Sequence, residues 1–465
     1  MSLPIADAVT AIFVHDGEIF MTRRHPAMLA FPGYHAFPGG KVDAEDAEGA
    51  AFEQPLLATH DRRLMHALAR ELREELEFDL PAAVVSGLVT GVELCTRALT
   101  PTAFPRRFDT WFYVLRLKQR PEFVVDEREA IDWGWAPASA WLAAWHRGEL
   151  IAAPPTQACL KALNLDLQKP VVRWMTSLTA PPEDRLQKDP TSSAGDAMTV
   201  IQSVHGLRQI FVRSNTLPPA EHTNCFVIGD EGAPRIAVDP SPRDAAELAR
   251  LEQTLHKLGV NQLLITHHHV DHNQFAEVLA RRHGWPMLMS AVTRMRVAKR
   301  SPTFFDGVDL RLIAEGDEVT RWQTLPVRVL EVPGHDDGQL ALMPEGRSWC
   351  IVGDLIQGVG TVVISKPEGD MRRYFESMDR VIGLAPRFIF PSHGIGMGTT
   401  FRLEETMRHR RMREAEILKL QRAGQTMQEM LAAIYQDLDP RLLPLAMRNI
   451  ESHLDKLQAE GQLEI

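Results

Sequence analysis

The chain lacks the features that mark secreted, membrane-spanning and cysteine-based metal-binding proteins. Its only cysteines are widely spaced and form no CxxC pair, so we expect reduced interior thiols; they are Cys95, Cys159, Cys225 and Cys350. No apolar run approaches the roughly 20 residues that cross a bilayer. The first residues lack the basic start and cleavage pattern of a leader. We therefore expect a cytoplasmic location and no membrane partner.

The chain also lacks an excess of positive charge. A formal net charge of −10 argues against a generally basic nucleic-acid surface, although a local patch remains compatible with it. No internal repeat and no Walker A motif occur, and the glycines of residues 393–400 are too irregular for a nucleotide fingerprint. With 465 residues, the chain is too long to form a single hydrophobic core. Domains of about 100–200 residues predict two to four units.

Changes in the pattern of apolar and polar residues along the chain predict an α/β (α+β) protein with four segments. Short apolar runs that end in polar residues alternate with helical patterns in the third segment, which indicates strands and helices of an α/β unit. Proline, serine and charged residues mark the second segment as a linker. The segments are 1–165, an α/β unit; 166–199, the linker; 200–401, a second α/β unit; and 402–465, a helical extension.

Histidine and aspartate follow several predicted strands of the third segment. The first group stands in THHHVDH after the apolar run QLLI, and the others follow later runs, as VPGH, IVGD and FPSH. Imidazole and carboxylate groups suit zinc and related divalent ions. Any one of these histidines could be an ordinary core or surface residue, but the ordered conjunction favours a metal site. The candidates are His267, His269, Asp271, His272, His335, Asp354 and His393.

The ordered motifs HxHxDH, PGH, GD and SHG resemble those of the metallo-β-lactamase superfamily over residues 200–400. The resemblance implies an αββα sandwich with two metal ions at one edge. Zinc is the expected ion, with iron or manganese as alternatives. The resemblance assigns one ion to His267, His269 and His335 and the second to Asp271, His272 and His393, with Asp354 bridging both.

The same resemblance implies a metal-dependent hydrolase that uses a metal-bound hydroxide. Asp271 is its candidate catalytic residue, as a proton acceptor or donor. His268 matches no ligand position and is expected to be an ordinary side chain at the end of a strand. Asn273 and Gln274 stand where many relatives have two glycines, so we expect the substrate entrance to differ in shape.

The helical extension 402–465 resembles the winged helix of the branch that contains a mitochondrial single-strand endoribonuclease. HRRMREAEIL, Tyr435 and AMRNIESHLDKLQAEG carry the likeness. A local basic surplus is compatible with a phosphate-bearing substrate such as single-stranded RNA, whereas a solvated helix face is the ordinary alternative. The basic residues are Arg402, Arg408, Arg410, Arg411, Arg413, Lys419 and Arg422.

An acidic helix in the first segment is the second candidate site. Glu71, Glu74 and Glu75 follow a spacing of i, i+3 and i+4, so their carboxylates share one side of the predicted helix. A hard cation such as Mg²⁺ or Mn²⁺ would offset their repulsion. An arginine-compensated, solvated helix is the alternative.

The sequence around this helix resembles a Nudix box. FPGG, the REL-REEL helix, PRRFDTWFYV and APPT match the branch that contains a peroxisomal coenzyme A diphosphatase, over most of residues 1–160. The resemblance implies an α/β/α domain in which the three glutamates bind Mg²⁺ and Arg70 orients the helix. Asp46 replaces the expected first glutamate, and Glu77 replaces the glycine that usually follows the helix.

Three functions remain open from the sequence. One is metal-dependent hydrolysis of a thioester or acyl compound, together with a Nudix-like domain that hydrolyses a nucleotide derivative such as coenzyme A. The second is a single-strand endoribonuclease, and in the third the Nudix-like domain is degenerate and serves binding or assembly. Substrate identity depends on loop shape, which spacing does not reveal, and the oligomeric state is not readable.

Overall fold

In the computed structural model, the described residues are 5–104, 106–168, 198–436 and 440–463. The chain forms two compact units, one of residues 1–195 with 199–205 and the other of residues 196–198 with 206–465. Most of the predicted linker 166–199 lies outside the described residues. The four predicted segment boundaries therefore stay predictions.

The first unit is a mixed sheet with helices on both faces. The strands of this sheet are β1 Ala6–His15, β2 Glu18–Arg24, β3 His35–Ala36, β4 Gly39–Lys41, β5 Val89–Leu99, β6 Phe108–Leu117 and β7 Ala130–Pro137. The unit also includes β8 Val200–Val204, which is not part of this sheet. Its helices are α1 Pro55–Ala58, α2 Arg62–Leu76, α3 Leu80–Val85, α4 Ala138–His146 and α5 Pro154–Leu165, with a 3-10 turn at Ala44–Ala47. The strand order is β3-β2-β1-β6-β5, with β1 parallel to β6, while β4 pairs with β1 and β7 with β2.

Alternation along β1 explains the three layers of this unit. Val9 and Phe13 pack in one cluster with Leu68 of α2. Ile12 lies in the opposite cluster with Leu160 of α5. Successive side chains of a strand point to opposite faces, so β1 is buried on both sides and separates two helical layers. The α/β/α arrangement expected from the sequence is present.

The acidic helix α2 begins and ends with defined caps. The Asp61 side chain accepts a hydrogen bond from the Leu64 amide at 3.1 Å, which satisfies a free donor of the first turn. Beyond Leu76, Glu77 adopts the left-handed conformation with φ 51°. Its amide donates to the Arg73 carbonyl at 3.1 Å, as in helix ends that usually carry glycine. The glycine-to-glutamate departure therefore leaves the helix end in its usual geometry.

The second unit contains two sheets. The strands of the first sheet are β9 Leu207–Arg213, β10 His222–Ile228, β11 Ile236–Val238, β12 Gln262–Leu264, β13 Met287–Met289 and β14 Leu310–Leu312. Those of the second are β15 Glu318–Trp322, β16 Leu325–Glu331, β17 Leu340–Pro344, β18 Cys350–Gly353, β19 Phe388–Pro391 and β20 Met397–Gly398. The strand orders are β14-β13-β12-β11-β10-β9 and β15-β16-β17-β18-β19-β20.

Helices flank these sheets. They are α6 Ala245–Lys257, α7 Val270–Asn273, α8 Ala276–His283, α9 Ala291–Arg300, α10 Met371–Leu384, α11 Phe401–Arg422, α12 Met427–Ile434 and α13 Leu443–Ala459, with a 3-10 turn at Pro440–Leu442. Helices α6 and α8 pack on strands of the first sheet. Val352 of the second sheet packs with Met378 of α10 and Met407 of α11. Between the sheets, the rings of Phe226 and Phe390 lie 5.9 Å apart in an edge-to-face contact.

The C-terminal helices form a small core of their own, built from Ile417, Met430, Ile450 and Leu457. The two-sheet sandwich and this helical extension agree with the predicted fold class. No helix within the described parts of the chain is both long and apolar enough to cross a membrane.

Candidate metal centre

The predicted strand ends of the second unit meet at one edge of the sandwich. After β12, the chain runs through His267 to His269 and into the short helix α7, which carries Asp271 and His272. The other three side chains follow β16, β18 and β19, and they are His335, Asp354 and His393. Polar side chains at the ends of neighbouring buried strands converge because each strand stops at the same edge.

Three imidazoles form the first group. His269 Nδ1 lies 3.0 Å from His267 Nε2 and 3.1 Å from His335 Nε2. The outer nitrogen of His335, Nδ1, donates to the Val363 carbonyl at 2.8 Å. That bond places the proton on Nδ1 and leaves the lone pair of Nε2 directed into the group. One ion could bind these three nitrogens.

Asp271, His272 and His393 form the second group. The Asp271 carboxylate lies 3.8 Å from His272 Nε2 and 3.5 Å from His393 Nε2. His393 Nδ1 donates to the His222 carbonyl at 2.9 Å, so its Nε2 is the nitrogen that faces the group. As in the first group, a backbone carbonyl binds one ring nitrogen and the other ring nitrogen faces the group.

Asp354 lies between the two groups. Its carboxylate is 3.4 Å from His393 Nε2, 3.7 Å from His272 Nε2 and 3.8 Å from His335 Nε2. The residue is only 4% exposed, and burial opposes ionisation of its carboxyl. The imidazoles of His393 and His272 nevertheless hold the pKa of Asp354 well below its usual value. The carboxylate therefore stays ionised.

Unsatisfied polar atoms show that these residues fit divalent cations. Among the described residues, His272 Nε2, His393 Nε2 and Asp354 Oδ1 are buried and have no hydrogen-bond partner. Buried polar atoms of a native protein normally have a partner. Nitrogen and oxygen donors around one point are a ligand set for zinc, iron or manganese.

Burial sets the charge of the first group. It lowers the pKa of His335 to about 4 and that of His267 well below its usual value, and neighbouring imidazoles add to both shifts. Both rings are therefore neutral near pH 7, which is the form that binds a metal.

Asp239 is a candidate site residue that sequence reasoning missed. It follows β11 directly, and its Oδ2 accepts from His272 Nδ1 at 2.9 Å and from the Thr266 hydroxyl at 2.7 Å. Its Oδ1 accepts from the Thr266 amide at 2.8 Å. One carboxylate thus fixes both the ring of a candidate ligand and the start of the histidine loop. The signal was present in IAVDP, another strand that ends in aspartate.

His268 lies beside the site without joining either group. Its Nδ1 pairs with the buried carboxylate of Asp336. His268 and His269 also lie in ligand range of Glu368, whose carboxylate is 3.7 Å from His269 Nε2.

Asn273 stands where many relatives have glycine, and its side chain makes specific hydrogen bonds. The side chain is fully buried, and its Nδ2 donates to the His269 carbonyl at 2.7 Å. Arg300 donates to its Oδ1 at 2.6 Å. The left-handed residue of this stretch is Phe275, with φ 61°, one position after Gln274. The asparagine side chain therefore stabilises the loop that carries the histidines by a hydrogen bond to the His269 carbonyl.

The acidic helix forms a second cluster, in the first unit. Arg70 donates to Glu71 at 2.8 Å and to Glu74 at 3.3 Å through Nη1. Its Nε and Nη2 donate to the two oxygens of Asp46 at 3.2 and 3.0 Å. Arg70 thus orients the helix against the preceding turn, as the sequence predicts, and Asp46 is its anchor.

Glu75 and the two glycines shape the inner part of this cluster. Glu75 accepts a hydrogen bond from the Gly39 amide at 2.9 Å. Burial raises the pKa of Glu75 to about 8, and the charges of Glu129 and Glu71 act in the same direction. A Cβ on Gly40 would lie 2.4 Å from the Glu71 carboxylate, so a larger residue there would displace the end of the Glu71 side chain.

Most of the basic residues of α11 have partners within the chain. Arg402 pairs with Glu405, Arg411 with Asp379, and Arg422 donates to the Gln462 carbonyl at 3.3 Å. The two others with internal partners are Arg410, on the Val362 carbonyl, and Arg413, on the Ile434 carbonyl. The basic surplus therefore serves packing and local ion pairing to a large extent.

Comparison with known proteins assigns two segments of the chain. Residues 218–393 match the metallo-beta-lactamase superfamily, and residues 426–464 match the beta-lactamase associated winged helix domain.

Individual relatives agree with this assignment. The chain is 29% identical over 286 residues to the Beta-lactamase-like protein 2 homolog of Drosophila melanogaster, covering 58% of this chain and 94% of the relative. It is 26% identical over 175 residues to an atrochrysone carboxyl ACP thioesterase of Aspergillus fumigatus, covering 37% of this chain and 50% of the relative.

The chain is also similar to a solved structure of another kind. It is a NUDIX hydrolase from Alicyclobacillus acidocaldarius, 30% identical, with a TM-score of 0.31 and coverage of 35% of this chain and 92% of that one. The chain is therefore an enzyme of the hydrolase class, similar to the metallo-beta-lactamase superfamily at residues 218–393 and to the beta-lactamase associated winged helix domain at residues 426–464.

Proposed function

We propose that the second unit is a dinuclear metal-dependent hydrolase of thioesters or related acyl compounds. The observation that carries the proposal is the set of buried, unsatisfied donor atoms on His272, His393 and Asp354. His267, His269 and His335 would hold one ion, Asp271, His272 and His393 the other, and Asp354 both. Zinc is the ion we expect, with iron or manganese as alternatives.

Divalent ions supply Lewis acidity, which lowers the pKa of water and stabilises negative charge on a substrate oxygen. The chain's own residues provide the rest. Asp271 is the more exposed carboxylate, with its side chain 16% exposed against 6% for Asp354. We therefore assign it the role of proton acceptor or donor, as well as that of an ion ligand.

The acyl substrate class is supported by the thioesterase among the relatives. Single-stranded RNA is a weaker alternative, because five of the seven basic residues of α11 have partners within the chain. The overall charge of −10 points the same way.

The test is turnover of a panel of acyl-thioesters by zinc-loaded full chain, followed as release of the free thiol. We expect the substitution His269→Ala to lower turnover by on the order of 100-fold or more, since it removes a ligand. His283→Ala, a histidine on α8 that pairs with Glu252 at 2.6 Å, is the matched control. Wild-type protein that binds zinc but cleaves labelled single-stranded RNA and no thioester would contradict the acyl assignment.

For the first unit we propose Mg²⁺- or Mn²⁺-dependent hydrolysis of a nucleoside-diphosphate-linked compound such as coenzyme A. Glu71, Glu74 and Glu75 would hold the ion. The raised pKa of Glu75 supports this, because a divalent cation beside it would offset the cost of a buried negative charge. A degenerate unit that only binds a nucleotide is the alternative.

Calorimetry and product analysis with coenzyme A, with and without Mg²⁺, separate these two outcomes. We expect phosphate-ester products that disappear in Glu75→Gln. Glu122→Gln, an exposed glutamate of the same unit, is the control. Binding of coenzyme A without any product would establish the degenerate alternative.

A further inference from the structure

The segment of residues 362–368 contacts two of the candidate ligands of the first ion. The Val363 carbonyl accepts the hydrogen bond from His335 Nδ1 at 2.8 Å. Glu368, from the same segment, lies 3.7 Å from the outer nitrogen of His269. Both contacts are made at the ring nitrogen that faces away from the ion site, and the hydrogen bond from His335 to the Val363 carbonyl fixes the orientation of that ring.

Segment 362–368 cannot hold this position by its own secondary structure. No helix or strand covers it, since β18 ends at Gly353 and α10 begins at Met371. Val362 and Ile364 are nevertheless buried, at 3% and 0% exposure. Buried backbone groups need hydrogen-bond partners, and these must come from elsewhere in the fold.

Three buried side chains of the C-terminal helices supply those partners. Ser452 Oγ donates to the Ile364 carbonyl at 2.6 Å, and Asn449 Oδ1 accepts from the Ile364 amide at 3.2 Å. Arg410 of α11 donates to the Val362 carbonyl. These contacts bracket Val363 on both sides.

The cost of burial shows that these contacts do more than attach the extension. Arg410 and Asn449 are each 8% exposed and Ser452 is 5% exposed. Burying such groups is unfavourable unless they are hydrogen-bonded, and an apolar contact would attach a helix at lower cost. Arg410 also donates to Asn449 Oδ1 at 3.4 Å, so the two act on the segment as a pair.

We propose that the C-terminal helical extension positions the ligands of the first ion. Arg410, Asn449 and Ser452 hold the backbone around Val363, and the Val363 carbonyl fixes the ring of His335. They are positioning residues, because none of them lies among the candidate ligands. The inference rests on the proposed metal site of the second unit and not on the substrate assigned to it.

A second polar cluster on the same helices provides a matched control. Lys456 is also 8% exposed and sits on α13, where its Nζ donates to Glu414 of α11 at 2.7 Å and to Glu460 at 3.0 Å. Its hydrogen bonds do not involve residues 362–368. Lys456→Met therefore disturbs the extension without disturbing the segment.

The experiment measures the zinc affinity of the full chain by competition with a chromophoric chelator, together with the melting temperature of the metal-free protein. We expect Ser452→Ala and Asn449→Leu to weaken zinc binding about 10- to 100-fold, as is usual when the outer support of a ligand is lost. Asn449→Asp keeps the acceptor oxygen, so it should bind zinc as the wild type does. Lys456→Met should lower the melting temperature and leave zinc binding unchanged.

Zinc affinity of Ser452→Ala and Asn449→Leu equal to that of the wild type would overturn the proposal. So would an equal loss in Lys456→Met at a matched fall in melting temperature, because the effect would then be general destabilisation. A wild type that binds zinc tightly but hydrolyses no thioester would contradict only the proposed substrate. A wild type that binds no zinc, iron or manganese would overturn both proposals.

Discussion

At the scale of single residues, the site depends on side chains that orient the ligands. Asp239 accepts hydrogen bonds from His272 Nδ1 and from Thr266, and Asn273 donates to the His269 carbonyl. Each bond decides which ring nitrogen or backbone group faces the site. The ligands alone would leave their rings free to rotate.

The first residue-scale prediction concerns Asp239. The substitution Asp239→Asn turns one acceptor oxygen into a donor that faces the donors of Thr266 and His272. We expect about 1–3 kcal/mol of lost stability from the unpaired buried groups. We also expect zinc affinity to fall about 10- to 100-fold. Metal competition and thermal melting of the full chain measure the two effects.

Asp230→Asn is the control for this prediction. The Asp230 carboxylate accepts from the backbone amides of Gln323 and Thr324, at 3.0 and 2.7 Å, in a turn that carries none of the candidate ligands. It should lower stability and preserve zinc affinity. Equal zinc affinities in Asp239→Asn and the wild type would remove Asp239 from the site.

The second residue-scale prediction concerns Gly40. In Gly40→Ala, the new Cβ would lie 2.4 Å from the Glu71 carboxylate, so Glu71 must move away from its place beside Arg70. We expect weaker Mg²⁺ binding by the first unit, measured by calorimetry. Gly134→Ala, where a Cβ meets no atom within 4 Å among the described residues, should bind Mg²⁺ as the wild type does. Unchanged Mg²⁺ binding in Gly40→Ala would count against a site at Glu71.

At the scale of elements, α13 combines a positioning role with a titratable core. His453, on this helix, is fully buried, and its Nδ1 lies 3.0 Å from Glu414. Burial lowers the pKa of His453 below its usual value, although Glu414 acts in the opposite direction. The folded state therefore keeps the ring neutral.

The lowered pKa of His453 predicts that the stability of the folded chain depends on pH. Because the unfolded chain takes up the proton more readily, the contribution of His453 to stability is present above its unfolded pKa of about 6.5 and is lost as pH falls below it. We expect the melting temperature of the metal-free protein to fall less between about pH 7.5 and 5.5 in His453→Gln than in the wild type. His409→Gln, at an exposed position on α11, should follow the wild type. Parallel curves for wild type and His453→Gln would refute the assignment.

At the scale of the whole molecule, the two candidate sites belong to different compact units. The glutamates of the acidic helix lie within residues 1–195, and every candidate ligand of the metal centre lies within residues 206–465. Each unit has its own buried clusters, so each site is supported by its own layers.

This separation predicts independent loss of the two proposed activities. Glu71→Gln combined with Glu75→Gln should abolish Mg²⁺-dependent cleavage of coenzyme A and leave zinc-dependent thioester turnover at the wild-type level. His269→Ala should have the reverse effect. Both rates are measured on the same preparations of the full chain. A double glutamate variant with impaired thioester turnover would show that the units are coupled.

The sequence by itself determined the fold class, the types of candidate ligand and their order along the chain. These predictions were possible because the candidate ligands follow short apolar strands, and strand, loop and residue type are local signals. The acidic helix was predicted from the sequence for the same reason, because a spacing of i, i+3 and i+4 is a local signal. Asp239 carried the same local signal in IAVDP but lies outside the motifs HxHxDH, PGH, GD and SHG on which the prediction was based.

Only the tertiary structure decided which groups hold the ligands in place. Ser452 and Ile364 are 88 positions apart in the chain, and His272 and Asp239 are 33 apart. Nothing in spacing or composition indicates that such residues meet. Hydrogen bonds between distant segments form only when the sheets and helices pack, so the orientation of each ring is a property of the folded chain.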